Sequence, residues 1–126
     1  MVLIIGGSYQ GKLDFARITY CLAEDEIFIC DENTAAIDFT KRCVAYIDRF
    51  ALNRVRAGAE PAEAFSGASG LRQDAILIAT DISGGVVPMD PTLRAWREAN
   101  GRMVNGLAAR ADEVWRLFCG IPQRLK

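Results

Sequence analysis

Val2 to Lys12 reads VLIIGGSYQGK: four apolar residues run into a glycine pair, and four residues separate Gly6 from Gly11-Lys12. That is the GxxxxGK spacing of a phosphate-binding loop between a buried strand and a helix. Gly6, Gly7 and Gly11 let the backbone bend and bring its N–H groups close to an anion. Ser8, Tyr9 and Gln10 complete the loop. Lys12 supplies a mobile charge for the outer phosphates, and the helix after it presents its positive end. Leu13 stands where the pattern calls for a hydroxyl residue to hold magnesium. The expectation is a nucleoside triphosphate, ATP or GTP, bound by Gly6–Leu13, with Mg2+ placed in question by Leu13.

Working outward, Val2–Ile5 shows no polar alternation, as expected of a strand buried on both faces in a parallel sheet. Leu13, Phe15, Ala16, Ile18, Thr19 and Leu22 continue as a helix that Glu24-Asp25 closes, and Glu26–Cys30 reads as the next strand. Asp31–Thr34 is a polar break in which Asn33 or Thr34 could cap a helix starting at Ala35. The apolar spacing of Ile37, Cys43, Val44, Ile47, Phe50, Ala51 and Val55 predicts one long helix from Ala35 to about Arg56. Lys41, Arg42, Asp48, Arg49, Arg54 and Arg56 would form its wet face.

Ala57–Leu71 reads as a loop with one helical turn at Pro61–Phe65. Ala75–Thr80 is a second wholly apolar strand, and it ends on Asp81. An acid at that place either holds magnesium through water beside the phosphate loop or caps a turn. Asp90 before Pro91 marks a helix start, and Leu93, Trp96, Met103, Leu107 and Ala111 line one face to about Ala111. Glu113–Cys119 reads as a strand ended by Gly120-Ile121-Pro122. Trp96 and Trp115 fall at core positions. The sum is an α/β fold with a mainly parallel sheet, taken as one nucleotide-binding domain over residues 1–126.

The 126 residues are 51% hydrophobic and 25% charged with a net charge of −1, a globular composition with no basic surface for nucleic acid. No apolar run approaches the roughly 20 residues of a membrane span. Met1 leads into the first strand without a leader pattern, which gives a cytoplasmic expectation. The four cysteines show no CxxC spacing and read as buried free thiols. The chain has no histidine, which removes histidine-based nucleophile pairs and histidine-ligated zinc.

From Thr80 onward the sequence resembles the bifunctional adenosylcobinamide kinase / adenosylcobinamide-phosphate guanylyltransferase family. The residues that carry the likeness are Asp81, Gly85–Pro88, Trp96–Glu98, Gly101-Arg102, Leu107-Ala108, Ala111–Val114 and Gly120–Lys126. IIGGSYQGKLDFA at the other end is similar to that family's opening. The resemblance implies a P-loop NTPase-like three-layer fold and a cytoplasmic, homo-oligomeric transferase of cobalamin biosynthesis. Such enzymes phosphorylate the aminopropanol hydroxyl of adenosylcobinamide with a nucleoside triphosphate, then transfer GMP through a histidine-linked intermediate.

Without histidine the guanylyltransferase half is expected to be lost, and the middle, Ala35–Leu71, does not show the family's second nucleotide-site strand. In the remaining kinase reading Lys12 and Gly6–Gly11 bind the triphosphate, Asp81 supports magnesium, and Arg102 or Arg97 neutralises developing charge. The alternative is a non-catalytic nucleotide- or corrinoid-binding homologue acting through a protein interface. In a third reading the loop no longer binds phosphate.

Overall fold

The computed structural model describes residues 1–67 and 69–126. Apolar runs without alternation become strands covered on both faces. β1 (Val2–Gly6), β4 (Ile76–Thr80) and β5 (Glu113–Phe118) form the centre of a six-stranded sheet. β2 (Ile27–Ile29) and β3 (Cys43–Ala45) extend one side and β6 (Ile121–Arg124) the other, giving the order β2-β3-β4-β1-β5-β6. All neighbours are parallel except β5 and β6.

Successive strand residues serve opposite layers, as the strand period of two requires. Leu3, Val44, Leu77, Ala79 and Val114 pack with α2 (Ile47–Arg56) and α3 (Pro91–Arg110) through Phe50, Ala51, Met103 and Leu107. Ile4, Cys43, Ala45, Ile76, Ile78 and Leu117 face the other way, onto Ala16 of α1 (Lys12–Thr19). The result is the expected three-layer α/β arrangement. The connections to helices after β1, β3 and β4 all leave from the carboxyl ends of these parallel strands.

Several expectations need correction. Residues 35–56 are not one helix. They contain turns, then β3, then α2. Asp38 Oδ1 accepts from both the N–H and the hydroxyl of Thr40, closing a turn that interrupts any helix. Cys43–Ala45 is fully buried between two parallel neighbours, so its unbroken apolarity mimics part of a helical stripe. The middle of the chain thus does supply a buried strand, β3. Asn33 and Thr34 cap no helix, because Thr34 Oγ1 accepts from Asp31 N–H and Asp31 Oδ1 from Asn33 N–H.

The chain also does not stop at Gly120. Cys119 and Gly120 have φ of 51° and 74°, the paired left-handed conformation of a two-residue hairpin turn, and β6 folds back on β5. Of the four cysteines, Cys30 and Cys43 are buried and burial pushes their thiols up to about 12, while Cys21 and Cys119 are exposed. Other expectations hold. Pro61–Phe65 is a single short 3-10 helix, and Asp90 caps α3 by accepting from Thr92 and Leu93 N–H with Pro91 at the first helical position.

Candidate functional site

Gly6 ends β1 so close to β5 that a Cβ there would lie 2.6 Å from the Leu117 carbonyl oxygen. Only glycine permits the chain to leave the sheet at this point. Gly11, with φ of 83°, turns it back into α1, and no side chain caps that helix. The first N–H groups of α1 therefore lack intrahelical partners and face the loop, the arrangement that suits an anion. The Gln10 side-chain carbonyl accepts from Cys119 N–H, tying the loop to the β5–β6 hairpin.

A cleft of about 450 Å³ opens on this loop, lined by Ser8–Leu13 together with Arg17, Tyr46, Arg49 and Thr80. Lys12 is 4% exposed and its Nζ donates to the Gly7 carbonyl at 2.6 Å. Burial lowers the pKa of its ammonium, the nearby Asp48 raises it, and Arg49 lowers it further. Tyr9 stands wholly exposed at the loop tip with φ of 59°, and Tyr46 has the same φ where the chain enters α2. Side chains in this conformation are strained, and such strain gathers at ligand sites. The Arg49 guanidinium lies 4.6 Å from the Tyr46 ring centroid.

Asp48 is a candidate site residue that the sequence conceals. It is 4% exposed, and its Oδ1 accepts from Thr80 N–H at 2.8 Å, joining the entry of α2 to the end of β4. Its backbone carbonyl accepts from Trp96 Nε1 at 2.8 Å. Burial raises the carboxyl pKa, against the pull of the Thr80 hydrogen bond and of Arg49 and Lys12. The available signal is an acid directly after a buried run, VAYID, which the helical spacing of residues 35–56 conceals.

The expected site residues divide into two places. Gly6, Gly7, Ser8, Tyr9, Gln10, Gly11, Lys12 and Leu13 run without a break from the end of β1 through the loop into the first turn of α1. Asp81 is adjacent to its start: its N–H donates to the Gly6 carbonyl at 2.8 Å. Its carboxylate accepts from the Ser83 hydroxyl and N–H, which hold its pKa below the usual carboxylate range. It faces a separate cleft of about 290 Å³ with Gly6, Gly7 and Gln10 rather than lining the cleft of Lys12. Arg102 is not brought to the loop. Its guanidinium pairs with Glu60 at 3.0 Å. Arg97 donates to the Val86 and Ser83 carbonyls and so fastens the segment after β4.

The cradle fits a triphosphate, since the glycines leave its backbone open and Lys12, Arg17 and Arg49 surround the cleft. Among the described residues no three cysteine, aspartate or glutamate side chains converge. A magnesium ion carried on phosphates needs only one or two protein ligands. Thr80 lines the cleft of Lys12, and Asp48 lies behind it with Oδ1 bonded to the Thr80 N–H.

A family model described as cobinamide kinase / cobinamide phosphate guanyltransferase matches residues 39–125, which include β3, Asp48 and nearly everything C-terminal to them. The bifunctional adenosylcobalamin biosynthesis protein CobU of Salmonella typhimurium is 37% identical over 51 residues. That alignment covers 40% of this chain and 28% of the Salmonella protein. Gly6–Leu13 precedes the span matched by the family model, and support for a phosphate site there comes from its own geometry.

Proposed function

The chain belongs to the cobinamide kinase / cobinamide phosphate guanyltransferase family, and on that footing we propose that it is a nucleoside-triphosphate-dependent kinase of a cobinamide hydroxyl. The single observation behind this reading is the glycine loop of Gly6–Gly11 with buried Lys12 at its foot and buried Asp48 beside it. The loop N–H groups and the first turn of α1 bind the β- and γ-phosphates. Lys12 exchanges its hydrogen bond to Gly7 for a phosphate oxygen and neutralises charge that grows during transfer. Arg49, held over Tyr46, and Arg17 add positive potential at the cleft mouth. Asp48, with Thr80, would hold a magnesium ion, whose chemistry would be to offset phosphate charge. Asp81, at the start of the loop on its other side, would face the acceptor.

The guanylyl transfer that the family name includes is proposed to be lost, because no histidine exists in these residues to carry the nucleotide. Phosphate transfer from labelled ATP or GTP to cobinamide tests the kinase reading. Lys12→Ala is expected to lower the rate about 10²-fold or more. Transfer that persists at the wild-type rate would reject the role given to Lys12.

A second reading, a nucleotide-binding homologue without turnover, is favoured by Leu13 in the hydroxyl position and by the engagement of Arg102 with Glu60. It predicts triphosphate binding that depends on Lys12 with no phosphorylated product.

A further inference from the structure

Neither arginine expected to offset the charge of the transferred group is placed to do so: Arg102 pairs with Glu60, and Arg97 holds the Ser83 and Val86 carbonyls. The register of the central strands brings a different arginine to the loop. Ile5, the residue before Gly6, lies opposite Ala79 of β4 on one side and Arg116 of β5 on the other. Two strand spacings, about 10 Å, separate β4 from β5. β1 ends between them in Gly6-Gly7, which raise no side chain into the gap. That gap is the cleft of about 290 Å³, with Asp81 and Arg116 both on its lining. Each of these charged groups is short of a partner. Asp81 spends Oδ1 on the Ser83 N–H and hydroxyl, and its Oδ2 has no hydrogen bond or ion pair among the described residues. The exposed Arg116 guanidinium rests 6.0 Å from the Phe118 ring centroid and likewise forms none among the described residues. The two do not join each other, yet Arg116 is near enough to help hold the Asp81 carboxyl below its usual range.

We propose that Arg116 is a catalytic residue of the phosphoryl transfer, donating to the oxygens of the transferred group while Asp81 Oδ2 accepts from the acceptor hydroxyl. The inference rests on the kinase reading above and deepens it by naming the cation on the acceptor side. The ligand chemistry follows from the reaction itself. The transferred group is anionic and calls for N–H donors, which a guanidinium presents in a planar fork. The acceptor is a hydroxyl and calls for an oxygen to take its proton. In the step, the hydroxyl oxygen forms a bond to the γ-phosphorus as the bond from that phosphorus to the β–γ bridging oxygen breaks. The nucleoside diphosphate leaves with that electron pair, and the hydroxyl proton passes to Asp81 Oδ2 and on to water. Lys12 and Arg49 serve the nucleotide from the other cleft, and Gln10 lines both, so the two sides meet across the loop. The Arg116 contact is made to the group in flight, and so it acts on the rate rather than on nucleotide affinity.

Phosphate transfer to cobinamide, ATP affinity and melting temperature are measured for the wild type, Arg116→Ala and Arg116→Lys. Arg116→Ala is expected to lower kcat about 10²-fold. Its ATP affinity and melting temperature should match the wild type, because the side chain is exposed and unpaired. Arg116→Lys keeps the charge without the fork and is expected to recover part of the lost rate. A second readout needs no turnover. ADP with aluminium fluoride, a stand-in for the group in flight, should bind the wild type roughly tenfold or more tighter than Arg116→Ala. An unchanged kcat in Arg116→Ala overturns the proposal, as does a fall in ATP affinity that accounts for the lost rate. Transfer by the wild type that Arg116→Ala retains in full overturns the proposal alone. A wild type that transfers nothing to cobinamide overturns the kinase reading and the proposal with it.

Discussion

Asp48 and Lys12 are a buried acid and a buried base near enough to pull on one another's pKa, and their burial works against both charges. Functional carboxylates are often held in this way at a cost to stability. Because the folded-state pKa of Asp48 is raised, the native chain holds that proton more tightly than the unfolded chain. The stability this contributes is complete below the unfolded carboxylate value of about 4 and is lost as pH rises through the folded value. Asp48→Asn keeps an oxygen for the Thr80 N–H and removes the titration. It is expected to raise the melting temperature of the ligand-free protein at neutral pH by about 4 °C, on the order of 1 kcal/mol, and to flatten the decline above pH ~4. It should weaken magnesium-dependent triphosphate binding. Melting curves across pH check the first two outcomes, and a lowered neutral-pH melting temperature would contradict them.

Leu13 is the complementary case. It is half-buried and packs with the α1-side cluster, so its side chain supports the core where the phosphate-loop pattern has a ligand. Leu13→Ser is expected to cost about 1–2 kcal/mol of stability while strengthening the magnesium dependence of triphosphate binding. Titrations with and without magnesium read this directly. No gain with the metal would show that the loop does not place residue 13 toward the ion.

At the scale of elements, the decisive feature is how tightly the loop is docked between β1 and the β5–β6 hairpin. Gly6→Ala would drive a methyl group into the Leu117 carbonyl, and is expected to lower stability by about 1–3 kcal/mol with loss of triphosphate binding. Gly7→Ala makes only an ordinary contact, 3.6 Å from Gln10 Cγ, and should change stability by less than about 0.5 kcal/mol. Thermal unfolding of the pair separates a steric requirement at Gly6 from a general one.

The loop, β1, β4, α3 and their order are legible in the sequence because glycine spacing, unbroken apolar runs and an Asp-Pro start each have one local meaning. β3 is not. Three buried residues in a parallel strand carry no alternation, and here they fall in phase with the apolar stripe of α2. Sheet pairing on both sides, a tertiary fact, decides their state. β6 escapes notice for a smaller reason, since Cys-Gly is a weaker hairpin signal than Asn-Gly, and Pro122 suits only an edge strand.

Across the whole molecule, the chain enters the sheet at β1, leaves for the far edge at β2, and returns through β3 and β4 before crossing to β5. That path brings the carboxyl ends of β1, β3 and β4 together, the crevice where open α/β sheets bind ligands. Lys12, Thr80 and the Asp48 bonded to Thr80 come from three separate segments, so only the contiguous loop can be read from sequence alone. Arg102 shows the converse. Its place in a family-like motif suggests phosphate, whereas the fold pairs it with Glu60.

The triphosphate site proposed at Gly6–Leu13 underlies every other functional proposal for the chain. The direct measurement is the melting temperature of wild type and Lys12→Ala with ATP or GTP, each with and without magnesium. A ligand at about 100 times its Kd adds about 2.7 kcal/mol to the native state. The wild type should therefore melt several degrees higher with a triphosphate, more so with magnesium, and Lys12→Ala should show no shift. A wild type whose melting temperature is unmoved by either nucleotide, with or without the metal, would contradict the assignment of this loop as a triphosphate site.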